Sequence, residues 1–141
     1  MVVIDDALLL DVLASTAAPE LSQARGRGEL ATTGCWYWRA ARALLGGGHG
    51  ALSRRVGGLA PAAQPSLRAG ADALPSEIVL VSLRDLIPIM ARLPRPANLL
   101  TLEAAAAAAR LLDAELLVST TSDLLEELAA SAKVALRVAT G

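Results

Sequence analysis

Short apolar runs alternate with segments of helical periodicity along this chain. The runs predict strands at residues 2–4, 30–33, 77–83, 115–119 and 134–138. Between them, apolar residues recur at three- and four-residue spacing, which is typical of amphipathic helices. Strands that alternate with helices favour a parallel sheet, because parallel neighbours need crossover connections. The pattern therefore predicts a sheet with helices on both faces.

The helices between these strands have recognisable start and stop signals. They are predicted at residues 7–14, 34–45, 62–73, 83–93, 98–113 and 123–131, with residues 20–28 as a polar helix or a loop. Thr33 and Ser122 are expected to cap two of them, and Ser82 with Asp85 has the spacing of a capping box. Pro88 is expected early in its helix, where a missing N–H is least costly.

The least determined part of the chain is rich in glycine, proline and alanine. The run Gly46–Gly50 is a certain break, and residues 46–75 as a whole are interpreted as an excursion within a single domain of residues 1–141. His49 is the only histidine and lies inside the glycine run, so we interpret it as a solvated residue and not a ligand or a base.

Composition limits the classes of protein that fit. Hydrophobic residues make up 54% of the chain, aromatic residues only 2%, and phenylalanine is absent, so the core must be built from Leu, Val, Ile and Ala. Cys35 is the only cysteine, which excludes an internal disulfide and a cysteine-built zinc site. No uncharged apolar run approaches the ~18 residues of a membrane span, and the start lacks a basic leader-like stretch. A cytoplasmic protein is expected.

The overall charge gives no reason to expect nucleic-acid binding. The formal net charge is −1 and the isoelectric point is about 5.8. A nucleic-acid site would therefore need a local cluster of arginines.

Four acidic residues are candidates for chemistry. Asp5 and Asp6 follow the first strand, Glu103 lies in an alanine-rich helix, and Asp123 follows the strand at 115–119. Ligands in open α/β sheets bind at the carboxyl ends of the strands, and a cluster of carboxylates there suits Mg²⁺ or Mn²⁺, which can activate water for phosphodiester hydrolysis. The competing interpretation of Asp6 is a cap on the first helix.

Two segments resemble a known family, the PIN domains, which include the VapC-type toxin ribonucleases of toxin–antitoxin pairs. Residues 2–9 (VVIDDALL) resemble the family's start, and residues 100–104 (LTLEA) with 116–121 (LLVSTT) resemble its carboxyl-terminal half. The resemblance implies a three-layer α/β/α fold with a central, mostly parallel, five-stranded sheet. It also implies a Mg²⁺-dependent single-strand endoribonuclease and an antitoxin-like partner.

The family's acidic residues map incompletely onto this chain. By resemblance, Asp5 is the first acid and Glu103 the third, with Glu where Asp is usual. The fourth falls nearest Thr121, and Asp123 can serve in its place; the second should fall near Trp38, but residues 34–45 contain no acid. The predicted catalytic residues are thus Asp5, Glu103 and Asp123, with Asp6 as an additional metal ligand.

All three aromatic residues of the chain lie at positions 36–38, followed by Arg39. Consecutive helical residues point in different directions, so we expect one tryptophan in the core and another on a surface. The functional interpretation is a nucleic-acid-binding set in which Trp38 stacks on bases while Arg39 and Arg42 contact phosphates. An exposed tryptophan can equally mark a protein partner or a homodimer interface.

Three hypotheses follow from the residues and the resemblance. The first is a Mg²⁺-dependent ribonuclease with an incomplete carboxylate cluster. The second is a catalytically silent PIN-like module that binds RNA or a protein partner. The third is a receiver-like phosphoacceptor domain, for which Lys133 is poorly placed because it precedes the last strand.

Overall fold

Five parallel strands form one sheet, whose order is β3-β2-β1-β4-β5. The computed structural model describes residues 1–46, 50–93 and 99–140. The strands are β1 (Val2–Ile4), β2 (Leu30–Thr33), β3 (Val79–Val81), β4 (Glu115–Val118) and β5 (Leu136–Val138). The expectations for His49 and for a helix start at residue 98 fall outside the described residues.

Eight helices lie between these strands in the described part of the chain. They are α1 (Asp6–Leu13), α2 (Pro19–Gly26), α3 (Gly34–Leu45), α4 (Ala51–Gly57), α5 (Gln64–Asp72), α6 (Leu83–Met90), α7 (Leu100–Leu111) and α8 (Asp123–Ala132). A 3₁₀ turn at Pro61–Ala63 leads into α5. The helices cover both faces of the sheet, which confirms the predicted three-layer α/β/α fold.

The strand at the middle of the sheet is β1. It pairs with β2 on one side, where Val3 lies opposite Ala31, and with β4 on the other, where Ile4 lies opposite Leu117. All strands are parallel, so their carboxyl ends share one edge. The residues that follow β1 and β4 therefore lie side by side at that edge.

Each face of the sheet has its own apolar cluster. On one face α6, α7 and α8 pack over residues such as Val3 and Leu116, and on the other α1, α3 and α5 pack over residues such as Ile4 and Leu117. The clusters are built mainly from Leu, Val, Ile and Ala, as the composition predicts.

Alanine brings α7 close to the sheet. Residues 104–109 are all alanine and all completely buried, in contact with the sheet and with α6 and α8. A side chain of one methyl group lets a helix approach its neighbours closely, and alanine has the highest intrinsic helix propensity. The described part of α7 begins at Leu100, two residues after the predicted start.

Of the hydroxyl caps predicted at Thr33, Ser122 and Ser82, the first two are confirmed and the third is wrong. The Thr33 hydroxyl accepts from the Trp36 N–H at 3.2 Å, and the Ser122 hydroxyl accepts from the Leu125 N–H at 3.2 Å. The capping box at Ser82 is wrong, because its side chain makes no cap bond and instead donates to the Asp85 carboxylate at 3.4 Å.

The other differences concern lengths and one missed helix. The strand predicted at 77–83 is reduced to Val79–Val81, and the helix α4 was missed among the glycine-rich residues. Pro88 lies inside α6 and not in its first turn, and the helix ends two residues later at Met90. A proline removes one intrahelical hydrogen bond, which is consistent with this early end.

None of the helices in the described residues is both long enough and apolar enough to cross a membrane.

Candidate functional site

A cleft of about 420 Å³ opens at the carboxyl ends of β1 and β4. We call it the acid cleft, because the carboxylates of Asp5 and Asp6 line it. Its other polar lining includes Arg39, Thr120, Thr121 and Ser122. It is the position at which ligands bind in open parallel sheets.

Asp5 is the cap of α1 and ties two strands together. Its Oδ1 accepts from the Leu8 N–H at 2.9 Å, and its Oδ2 accepts from both the backbone N–H and the hydroxyl of Ser119 at 2.7 Å. The expectation that Asp6 caps this helix is therefore wrong, since the cap lies one residue earlier. The bonds to Ser119 join the end of β1 to the end of β4.

Burial and hydrogen bonding act on the Asp5 carboxyl in opposite directions. The side chain is almost fully buried, and the loss of solvation raises its pKa above the ordinary value of 3.8. The three hydrogen bonds from Ser119 and Leu8 oppose this shift, and the charge of Asp6 adds to it. Burial prevails, so Asp5 is a weaker acid than an exposed aspartate.

Asp6 carries a negative charge that is paired inside the protein. Its Oδ2 accepts from Arg39 Nε at 2.8 Å, and its Oδ1 accepts from the Ala7 N–H at 2.8 Å. Arg39 is half exposed and comes from α3, the helix in which the resemblance to PIN domains leads one to expect a second acid. A guanidinium thus supplies positive charge at this cleft.

Glu103 and Asp123 do not line the acid cleft among the residues described. Glu103 lies half-buried in the first turn of α7, and Asp123 is exposed at the first position of α8. Thr121, the residue nearest to the expected fourth acid, does line it. Of the four acids named from the sequence, the cleft brings together Asp5 and Asp6.

These residues fit a divalent cation poorly. Within residues 1–46, 50–93 and 99–140, no three His, Cys, Asp or Glu side chains are grouped so that they could hold a metal ion. Every buried side-chain nitrogen or oxygen in these ranges has a hydrogen-bond partner. Asp5 already accepts three hydrogen bonds, which leaves about one of its four lone-pair positions. The metal role of these acids stays a prediction.

The aromatic cluster divides between core and surface, as expected. Trp36 is buried in the core, and the Tyr37 hydroxyl lies near the Gly70 and Ala71 carbonyl oxygens at 2.9 and 3.1 Å. Trp38 is 60% exposed, the same fraction as Leu45, and no other large apolar side chain in the described residues exceeds it. An indole this exposed contributes little to the core.

A second cavity, of about 380 Å³, lies beside Trp38. We call it the arginine pocket; its lining includes Trp38, Arg39, Arg42, Gly46 and Ser53. The guanidinium carbon of Arg42 lies 5.4 Å from the centre of the Trp38 ring, within the range of a cation–π contact. No acidic residue lines this pocket among those described, so it is a locally basic surface on a nearly neutral chain.

Lys133 lies at the other edge of the sheet from Asp5. It follows α8 in a left-handed conformation and lines a cavity with Glu115, the first residue of β4. Asp5 follows the last residue of β1, at the carboxyl ends. The two side chains are therefore not placed as the lysine and acid of a phosphoacceptor site would be.

Sequence reasoning missed Ser119 and the ion pair of Asp6. Ser119 directly follows β4, so its position at the carboxyl edge was a usable signal. The pairing of Asp6 with Arg39 joins residues from two helices and had no local signal in the sequence.

Comparison with protein-family models, with curated proteins and with solved structures finds no match to this chain.

Proposed function

We propose that this chain is a PIN-like domain that binds single-stranded RNA in the cytoplasm without metal-dependent cleavage. The observation that carries the proposal is the exposed indole of Trp38, which lies in one pocket with Arg39 and Arg42. Single-stranded nucleic acids are bound by aromatic rings that stack on bases and by basic side chains that follow the backbone. This pocket offers both within one turn of α3.

The charges near the pocket support a small polyanion contact. Arg39 uses Nε to pair with Asp6, and the structure gives its two terminal nitrogens no partner among the described residues. Arg42 contacts the Trp38 ring and makes no ion pair with the described carboxylates. Two guanidinium groups are therefore available to phosphate oxygens, which they bind with good geometry.

Cleavage is the less favoured activity because the acids in the cleft are already used. Asp5 holds the start of α1 and the end of β4, and Asp6 is paired with Arg39. A cation that bound there would have to displace these contacts. In the domain we propose, the two carboxylates of the cleft hold the structure together and pair with Arg39 in place of binding a cation.

The first prediction concerns binding of a short oligouridylate, measured by fluorescence anisotropy at several salt concentrations. Two phosphate contacts on a single strand correspond to a slope of log K against log salt of about −1.4. We expect Arg42→Ala to weaken binding and to reduce the slope to about −0.7. Trp38→Leu removes the stacking surface, so it should cost about 1–3 kcal/mol with little change in slope.

Arg27→Ala is the matched control for loss of one charge. Arg27 is exposed and pairs with Glu29 near the end of α2, outside the residues that line the arginine pocket. If Arg27→Ala weakens binding as much as Arg42→Ala, the contact is diffuse and the proposed site is wrong.

A specific observation keeps metal-dependent ribonuclease activity as a second candidate: Asp5 and Asp6 are adjacent and face the same cleft. A calorimetric titration with Mn²⁺ separates the two functions. Under our proposal the chain shows no saturable binding up to millimolar Mn²⁺ and leaves single-stranded RNA intact. Saturable binding that Glu103→Gln weakens, together with Mn²⁺-dependent cleavage, would instead establish the nuclease and its predicted ligands.

A protein partner is the remaining alternative for the Trp38 surface. An antitoxin-like protein or a second copy of the chain would also bury an exposed tryptophan and arginine. Analytical ultracentrifugation of wild type and Trp38→Leu tests the second copy directly. Self-association lost in this variant, without RNA binding by the wild type, would favour the homodimer over our proposal.

A further inference from the structure

A third cavity, of about 290 Å³, lies on another side of Trp38. We call it the apolar pocket. It is lined by Gly34, Cys35, Trp38, Leu83, Leu100 and Thr101. Among these described residues none is charged, and Thr101 provides the one hydroxyl. Leu100 is 50% exposed, so apolar surface here is open to solvent at a place where a folded chain would gain by covering it.

The indole of Trp38 separates the apolar pocket from the arginine pocket. The two cavities share Trp38 and no other described lining residue. Leu100 and Thr101 also line the acid cleft, and Arg39 lines both the acid cleft and the arginine pocket. The three cavities are therefore neighbours that share lining residues around Trp38 and Arg39.

Arg42 limits where a base can stack on this indole. Its guanidinium carbon lies 5.4 Å from the ring centre, and Arg42 lines the arginine pocket but not the apolar one. A base that entered from the arginine pocket would compete with this contact. No guanidinium is among the described residues that line the apolar pocket.

From this arrangement we infer that the apolar pocket is a nucleobase subsite. In it one base of a single strand stacks on Trp38 beside Leu83 and Leu100, while the adjoining phosphates contact Arg39 and Arg42. The inference rests on the proposed RNA-binding function and specifies how the strand lies. A pocket with a single hydroxyl can form few hydrogen bonds with the edge of a base, so we expect little preference among the four bases.

A base is favoured over an isolated apolar ligand because of what borders the pocket. The cavity itself is uncharged, but the surface that continues from it across Trp38 carries two arginines and no described acid. A nucleobase is a flat ring that fits the uncharged cavity, and its anionic backbone fits the surface that carries the two arginines. A purely apolar ligand would make no use of Arg42 or of the terminal nitrogens of Arg39, which are the groups that bind phosphate oxygens.

The glycine at the start of α3 allows the pocket to be filled without disturbing the fold. A Cβ placed on Gly34 meets no atom within 4 Å, and its backbone is not in the left-handed region. Gly34→Leu should therefore fold normally and occupy the subsite. Gly26→Leu is the matched control, because a Cβ on Gly26 at the end of α2 also meets no atom within 4 Å.

The test compares a short oligouridylate with the same ribose-phosphate chain lacking bases. Loss of one stacked base corresponds to about tenfold or more in Kd. We expect Gly34→Leu to weaken oligouridylate binding about tenfold, with Gly26→Leu unchanged. The abasic strand should bind Gly34→Leu and Gly26→Leu equally weakly, since only the phosphate contacts remain.

A second measurement does not depend on any variant. Cys35 lines the pocket and is the only cysteine of the chain, so its alkylation rate reports on access to the subsite. Oligouridylate should slow the alkylation in wild type, and the abasic strand should not.

The results distinguish failure of the subsite from failure of the function. If wild type binds oligouridylate, Arg42→Ala weakens it and Gly34→Leu does not, the base lies elsewhere and the inference is overturned. Unchanged alkylation of Cys35 in the bound state leads to the same conclusion. If wild type binds neither strand at any salt concentration, the proposed function itself fails.

Discussion

Replacing Asp5 with alanine is expected to destabilise the fold by about 3 kcal/mol, which sums a lost helix cap and an unpaired buried N–H. The substitution removes the acceptor of the Leu8 N–H and both bonds from Ser119. It also unlinks the ends of two neighbouring strands at the middle of the sheet. The free energy of unfolding, measured with urea, checks the value.

Two further substitutions calibrate this result. Asp6→Ala removes a partly exposed ion pair with Arg39 and a bond from the Ala7 N–H, so it should cost about 1 kcal/mol or less. Ser119→Ala removes one of the two bonds to Asp5 Oδ2. Its loss of stability should lie between those of the Asp6 and Asp5 variants, at about 1 kcal/mol. Equal losses for the Asp5 and Asp6 variants would contradict the structural role of Asp5.

The expected instability affects how an activity assay is interpreted. A ribonuclease test based on Asp5 alone cannot separate a lost ligand from a lost helix cap, because both abolish activity. Asp6→Asn and Glu103→Gln are more informative, provided that their unfolding curves match wild type.

The second large effect is expected from overpacking α7. Ala108 is completely buried in the cluster that contains Val3 and Leu116, and its helix lies close against the sheet. Ala108→Leu adds three carbon atoms where no space remains, so we expect a loss of about 2–3 kcal/mol. Thermal and urea unfolding followed by circular dichroism measure the change.

Ala130→Leu is the control for the effect of a leucine in a helix where no close packing is disturbed. Ala130 lies on α8, where it is exposed, and leucine is nearly as good a helix former as alanine. Its free energy of unfolding should remain within about 0.5 kcal/mol of wild type. If Ala108→Leu is also neutral, α7 is not packed as closely as the structure indicates.

The elements that could be predicted from the sequence are those whose cause is local. A Thr or Ser beside a helical segment places its oxygen near an N–H three residues on, so Thr33 and Ser122 were identified correctly. Asp5 and Asp6 are adjacent acids before the same helix, and the sequence favours Asp6 as the cap, whereas the structure has Asp5 there. The choice depends on Ser119, which belongs to another strand.

The missed and misplaced elements have equally physical reasons. The sequence ALSRRVG of α4 is short and flanked by glycines, so its apolar residues show no clear helical period. The capping box at Ser82 fails because its side chain is oriented toward the Asp85 carboxylate, to which it donates, and makes no bond to a backbone N–H of the helix. Sequence spacing shows which groups can meet and not which partner is preferred.

The candidate site was predictable only in part. Parallel strands end at one edge of the sheet, so Asp5 and Asp6 lie at the expected edge, but the place of β4 beside β1 depends on the strand order, which the sequence left open. Whether Glu103 or Asp123 reaches the same cleft depends on helix rotation and on how far each helix extends past the sheet. Neither quantity can be read from residue spacing.

The central place of β1 has a consequence for how the chain folds. Val3 must pair with Leu116, so the middle of the sheet is completed by residues far apart in the sequence. Contacts of this kind slow folding, since a long loop must close before they are made. During synthesis the amino-terminal half emerges with one flank of its central strand unpaired, so we expect it to become stable only once β4 has emerged.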